Sequence, residues 1–248
     1  YIKTVIFSKP GETLQFPLVR LDEFFQLQFD DLNADERNYY YKIKYFNHDW
    51  TPSNLFQNEY MRGFDNLRIE NYQTSFNTLQ SYTHYQLKIP NSDIQLKVSG
   101  NYMIEIFSAY DELIFSRRFC VYDNTASVQA AVYRPQNMDR FATHQSVRFA
   151  ATPKTKFFVN PEENVKVVIL QNQQWNSVIS NLKPQYYSGN TLEYRYETPS
   201  QFEGGNEYLF FDTKDLRITT PRISYSNRAN LYETYLNIDI ARNFTNYT

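Results

Sequence analysis

Hydrophobic and polar positions alternate with a period of two along much of this chain. Between Tyr39 and Phe46, the side chains of Tyr39, Tyr41, Ile43 and Tyr45 fall on one side. Those of Tyr40, Lys42, Lys44 and Phe46 fall on the other. A pleated strand imposes this alternation, and aromatic and β-branched residues suit its surface. Phe25, Leu27 and Phe29 repeat the pattern, as do Tyr102, Ile104 and Ile106. Later runs are Val165-Val167-Ile169, Leu192-Tyr194-Tyr196 and Leu236-Ile238-Ile240. No long stretch has helical periodicity. Many short alternating strands separated by polar turns predict an all-β protein of antiparallel sandwiches, fibronectin-like or immunoglobulin-like.

A break falls at Asp123-Asn124-Thr125-Ala126-Ser127. Before it, Arg117 to Tyr122 reads as a last strand. After it, Val128 to Val132 reads as a first strand. The chain therefore divides into an N-terminal sandwich over 1–123 and a second over 124–248. Each is near the roughly 100 residues of a seven-strand sandwich. Residues 54–78 hold aromatics without clean alternation. A connection this long in a compact domain is often functional. The alternative reading is a pair of irregular edge strands laying their aromatics on the core.

Composition narrows the function. The chain has 248 residues with a formal charge of −2, Tyr 22, Phe 20 and only Gly 6. Usual glycine content is about 7%, so phosphate-cradling loops and flexible linkers are disfavoured. The near-neutral balance supplies no basic stripe, which argues against a nucleic-acid reader. No run of about 18 apolar residues predicts a membrane-spanning helix. The start at Tyr1 fits either a cleaved signal peptide or trimmed ends. Cys120, the single cysteine, lies in a strand-like run and reads as a small buried hydrophobe.

Catalytic chemistry is not written into the chain. His48, His84 and His144 are far apart. His48 and Asp49 are neighbours, and adjacent strand residues point to opposite faces. None of the zinc-protease, thiol-redox, nucleophile-elbow or phosphate-loop motifs occurs. Asp30-Asp31 and Glu162-Glu163 read as solvated turn or cap residues. No metal and no cofactor is implied. Trp50 and Trp175 each follow an alternating run and read as core anchors, with stacking platforms the alternative. Surplus tyrosine suits a strand, and it equally suits a binding surface.

An ordered set of motifs runs through the chain. It begins with Phe29-Asp30-Asp31-Leu32, Tyr39 to Ile43, His48-Asp49-Trp50 and Ser53-Asn54-Leu55. Glu59-Tyr60, Gly63-Phe64, Tyr72, Ser75, Asn77-Thr78, Tyr82 to Tyr85 and Leu87 to Asn91 follow. Ser99 to Tyr102 and Arg117-Arg118-Phe119 close the first half. In the second half come Gln171-Asn172, Trp175, Gly205-Asn206-Glu207 and Phe211-Asp212. Taken in order, these resemble the plug proteins of the type IX secretion system of Bacteroidetes.

The resemblance implies a non-enzymatic periplasmic protein at the inner side of the outer membrane. Its partner would be the large outer-membrane β-barrel translocon with its associated subunits, whose periplasmic opening it would close. The family's greater usual length implies further β structure after this chain. The family brings no catalytic residues with it. Loop length and residue type make 54–78 the expected contact region, with Tyr60, Arg62, Phe64 and Tyr72 as its contact residues. A tandem of fibronectin-like domains that binds carbohydrate on its tyrosines and tryptophans is the alternative.

Overall fold

The computed structural model describes residues 1–11, 16–204, 211–218, 220–229 and 232–238. Two compact units divide it, Tyr1–Ala126 and Ser127–Thr248. Gly205-Asn206-Glu207 and Ile240 lie outside the described residues.

The first unit is built from β1 (Ile2–Ser8), β2 (Leu18–Arg20), β3 (Phe25–Asp31), β4 (Tyr39–Phe46), α1 (Gln57–Tyr60), β5 (Met61–Gly63), β6 (Leu67–Arg68), β7 (Asn71–Thr74), β8 (Thr83–Ile89), β9 (Ile94–Leu96), β10 (Gly100–Ser108) and β11 (Leu113–Tyr122). One sheet has the order β1-β3-β8-β7 and the other β2-β11-β10-β4-β6. All pairs are antiparallel except β2 with β11, which run parallel. This is an immunoglobulin-type sandwich with an extra strand at each edge of the second sheet, β2 and β6.

The alternation read in the sequence sorts side chains to the two faces of these strands. Phe25, Leu27 and Phe29 on β3 face Tyr41 and Ile43 on β4 and Tyr102, Ile104 and Ile106 on β10 across one core. Aromatic rings fill it in edge and stacked arrangements. Phe7, Phe25 and Phe119 form a triangle with centroids 4.9 to 5.4 Å apart. Phe29 stacks on Tyr85 at 5.0 Å. Such pairs add about 0.5–1.5 kcal/mol each beyond their buried area. Aromatic and aliphatic packing thus takes the place of the disulfide that often ties such sandwiches.

Buried tyrosines need partners for their hydroxyls, and here those partners hold the loops. Tyr102 donates to the Val98 carbonyl at 2.7 Å, the backward bond that marks a tyrosine corner. Tyr85 donates to the Arg37 carbonyl at 2.8 Å. Tyr39 donates to Asp31 at 2.7 Å. Asp31 is fully buried, and it also accepts the Asn33 backbone and side-chain N–H groups, each at 2.9 Å.

The Asp30-Asp31 pair therefore departs from the solvated-turn reading. Both residues lie within β3. Asp31 points inward to pin the following turn. Asp30 points outward to His84 Nδ1 at 2.6 Å. Trp50 departs from the core reading as well. β4 ends at Phe46, and Trp50 N–H closes a turn on the Asn47 carbonyl at 3.0 Å with a φ of 65°. Its ring lies on the outer face, near Phe46 and under the Arg118 guanidinium at 4.6 Å. Cys120 sits on β11 beside Asn101, and burial pushes its thiol up to about 11.

The second unit's main sheet combines β12 (Ala126–Tyr133), β13 (His144–Pro153), β16 (Tyr186–Ser188) and β17 (Thr191–Tyr194) in the order β12-β13-β17-β16, with β18 (Gln201–Glu203) against β13. β14 (Val168–Ile169) with β15 (Ile179–Ser180), and β19 (Ile223–Arg228) with β20 (Tyr232–Leu236), form two small ribbons. Phe149 stacks on Tyr194 at 4.3 Å across the main sheet. The run from Val165 to Leu170 is shorter as a strand than its alternation predicts. The short helix α2 (Pro161–Asn164) caps onto Val165, and only Val168–Ile169 pair. Glu162 and Glu163 lie in the first turn of α2. Trp175 lies in a half-buried 3-10 turn. β20 ends at Leu236, short of Ile238.

Candidate interaction surfaces

The segment 54–78 is neither one loop nor one strand. It contains α1, β5, β6 and β7, so irregular edge elements account for most of it. Glu59 starts α1 by accepting the Phe56 N–H at 2.7 Å, while its own N–H donates to the Phe56 carbonyl at 2.9 Å. The chain then passes into β5, whose three residues pair with β9. Gly63 is required there. Its φ is 122°, and a Cβ would come within 1.9 Å of the Asp93 carbonyl oxygen.

This folding separates the four expected contact residues. Tyr60 turns inward, with only 8% of its surface exposed. It stacks on Tyr45 at 5.6 Å and donates to the Ile43 carbonyl at 3.2 Å. Burial raises its hydroxyl pKa above the usual tyrosine value. Tyr72 is half-buried on β7, 5.5 Å from the Tyr85 ring, and its hydroxyl reaches Glu36 at 3.3 Å. Arg62 and Phe64 point to solvent, Phe64 with 77% of its surface exposed. Arg62 borders an open cleft of about 760 Å³, with Phe56, Met61, Leu96 and Lys97 among its other walls. Met61 forms an apolar floor, and Arg62 and Lys97 give the rim positive charge.

Phe56 was not singled out by the sequence pattern, yet it is as exposed as Phe64. A second group of exposed apolar residues lies at the opposite end of β4, in the turns after β7 and β10. It includes Phe76, Leu79 and Tyr110. Aromatic residues inside Ser/Asn/Thr-rich turns, as in Ser75-Phe76-Asn77-Thr78, were the available signal.

Among the described residues, titratable groups do not converge on a reaction centre. His48 is exposed, and Asp49 is engaged by the Thr51 backbone and hydroxyl at 3.0 and 2.6 Å. The His84–Asp30 pair lies on the outer face of its sheet, with Gln73 opposite His84 on β7 and Gln86 opposite Asn71 beside it. Among the described residues no three His, Cys, Asp or Glu side chains gather as a metal site. No helix among them is long and apolar enough to cross a membrane.

Geometry thus defines a surface-presenting β protein whose first unit is an immunoglobulin-type sandwich. Residues 2–123 match the family model of the type 9 secretion system plug protein first domain. Residues 2–123 thus form a first domain of the type IX secretion system plug family, a structural component of a secretion system, and no catalytic family is indicated. A crystal structure of a hypothetical protein from Parabacteroides merdae is similar over 95% of the chain, with 29% identity and a TM-score of 0.89. The chain spans 60% of the length of that protein. No curated protein matches it.

Proposed function

We propose that the protein is a non-enzymatic plug of the type IX secretion system. It sits in the periplasm at the inner side of the outer membrane, binds the large β-barrel translocon and closes its periplasmic opening. The observation that carries this reading is the family match over the whole first sandwich. The physical character of that sandwich supports it. Closing a wide opening calls for a rigid body, and this unit has two sheets closed over an aromatic core. With a formal charge of −2, long-range steering is weak, so exposed aromatic anchors must supply affinity.

In this reading Arg62 and Phe64, with Phe56, make contact with the translocon. Tyr60 and Tyr72 hold the segment in shape from beneath. The carbohydrate alternative needs exposed stacking faces; Tyr39, Tyr41, Tyr85, Tyr102 and Tyr194 are buried and offer none, whereas Tyr110, Tyr186 and Tyr187 are exposed.

A translocon-binding assay with Phe56→Ala/Arg62→Ala/Phe64→Ala tests the contact assignment. The expected result is a folded protein with at least about tenfold weaker binding. Unchanged affinity in a variant of native stability would overturn it.

A further inference from the structure

A distinct set of exposed apolar residues occupies one end of the first sandwich. Strand registers define that end. Asp31 at the end of β3 pairs with Thr83 at the start of β8, and Tyr39 at the start of β4 pairs with Ser108 at the end of β10. The three connections 32–38, 75–82 and 109–112 therefore emerge on the same side, as do the antigen-binding loops of an antibody domain. At their tips Phe76 and Leu79 are each 93% exposed and Tyr110 is 88% exposed.

These tips are held out in water by structure. Ser75 N–H donates to the Tyr82 carbonyl at 2.8 Å, and Tyr82 N–H donates to the Ser75 hydroxyl at 2.9 Å. The Thr78 hydroxyl donates to the Gln80 carbonyl at 2.9 Å, and the Gln80 amide reaches the Leu32 carbonyl of the neighbouring connection at 3.3 Å. On the third connection, Tyr110 N–H donates to the Ser108 hydroxyl at 3.2 Å. Apolar side chains on preorganised turns lose little entropy on binding, which makes them efficient anchors.

Charge selects the partner. The three connections carry the carboxylates Asp35, Glu36, Asp111 and Glu112 against a single base, Arg37, which is paired with Asp35 at 2.8 Å. Lys42 from β4 pairs with Asp111 at 2.9 Å. An anionic lipid surface would be repelled by such a rim, and a basic protein surface would be attracted. We propose that this loop end docks into an apolar depression with a Lys/Arg rim on the translocon. The occupant rests on the plug reading. The surface itself is separate from the Arg62–Phe64 segment.

The test uses the full-length protein and purified, detergent-solubilised translocon, with binding measured by biolayer interferometry. Phe76→Ser/Leu79→Ser/Tyr110→Ser is compared with wild type and with Glu36→Gln/Glu112→Gln. These side chains are solvent-exposed, and circular dichroism and thermal melting establish that each variant keeps its fold. The expected result is a loss of at least tenfold in affinity for the tip variant, and for the charge variant a weaker affinity with a reduced salt dependence. Wild-type binding that the tip variant retains would overturn the loop-end proposal and leave the plug reading standing. Absence of wild-type binding would overturn both. Vesicles of phosphatidylcholine with phosphatidylglycerol form a further arm. Wild-type binding to them that the tip variant loses would replace the protein partner with a lipid surface and so refute the proposal.

Discussion

Replacing Tyr39 by Phe removes one oxygen from the best-buried polar contact of the first sandwich. Tyr39 O–H donates to Asp31 at 2.7 Å, and neither residue has more than 3% of its surface exposed. Asp31 keeps two other donors, the Asn33 backbone and side-chain N–H groups. Hydrogen bonds to charged groups contribute about 1.5–3 kcal/mol, so Tyr39→Phe is expected to cost about 2 kcal/mol. Asp31→Ala removes the shared acceptor and strands the buried Tyr39 hydroxyl, at a cost of about 3–4 kcal/mol. Because both single variants break the same bond, the double variant is expected to cost less than their sum by about 1.5–2 kcal/mol. Urea denaturation of the four proteins measures this, with unchanged m-values required for the comparison. A coupling below about 0.5 kcal/mol would refute the argument that Asp31 is a structural pin.

Other parts of the fold make equally specific predictions. Tyr102→Phe leaves the Val98 carbonyl without its 2.7 Å donor, and an expected loss of about 1–2 kcal/mol is read from a shifted denaturation midpoint. Gly63→Ala places a methyl group against the Asp93 carbonyl at positive φ, so a loss of about 2–4 kcal/mol is expected by thermal melting, while Gly189→Ala, with open space around it, costs about 1 kcal/mol or less. Burial raises the hydroxyl pKa values of Tyr39, Tyr85 and Tyr102 above the ordinary 10.0. The unfolded chain then loses these protons before the folded one does. Stability present below the unfolded value is lost as pH rises above it, by about 1.4 kcal/mol per pH unit for each tyrosine. Denaturation series followed by tyrosinate absorbance check this, and flat stability above that pH would contradict it.

Where one face of a strand met a closed core, its side chains told the reader which way they pointed. Phe25, Leu27 and Phe29, or Tyr102, Ile104 and Ile106, alternate because every second position must leave water. Val165 to Leu170 alternates equally well in composition, yet most of it is not strand. Local hydrogen bonding at α2 competes with the sheet there, and alternation alone carries no information about that. Asp31 was misread because a buried carboxylate with three donors is indistinguishable in sequence from a turn carboxylate. Trp50 was misread because the strand ends at Phe46, and a left-handed turn turns the next aromatic outward. The candidate surface was only half legible. Exposed Arg62 and Phe64 and inward Tyr60 have similar sequence surroundings, and a two-strand pairing between β5 and β9 decides which points out. Sequence order could not reveal that the turn after β7 joins those after β3 and β10 at one end, since that depends on strand register.

The central claim, that this protein plugs a secretion translocon, is most directly tested by recovering its partner. Tagged full-length protein is incubated with detergent-solubilised Bacteroidetes outer membranes, and the bound fraction is quantified by mass spectrometry. Near-stoichiometric recovery of the giant type IX barrel is the predicted result. A folded bait that recovers no barrel, and that binds oligosaccharides in a parallel glycan array, would contradict the account.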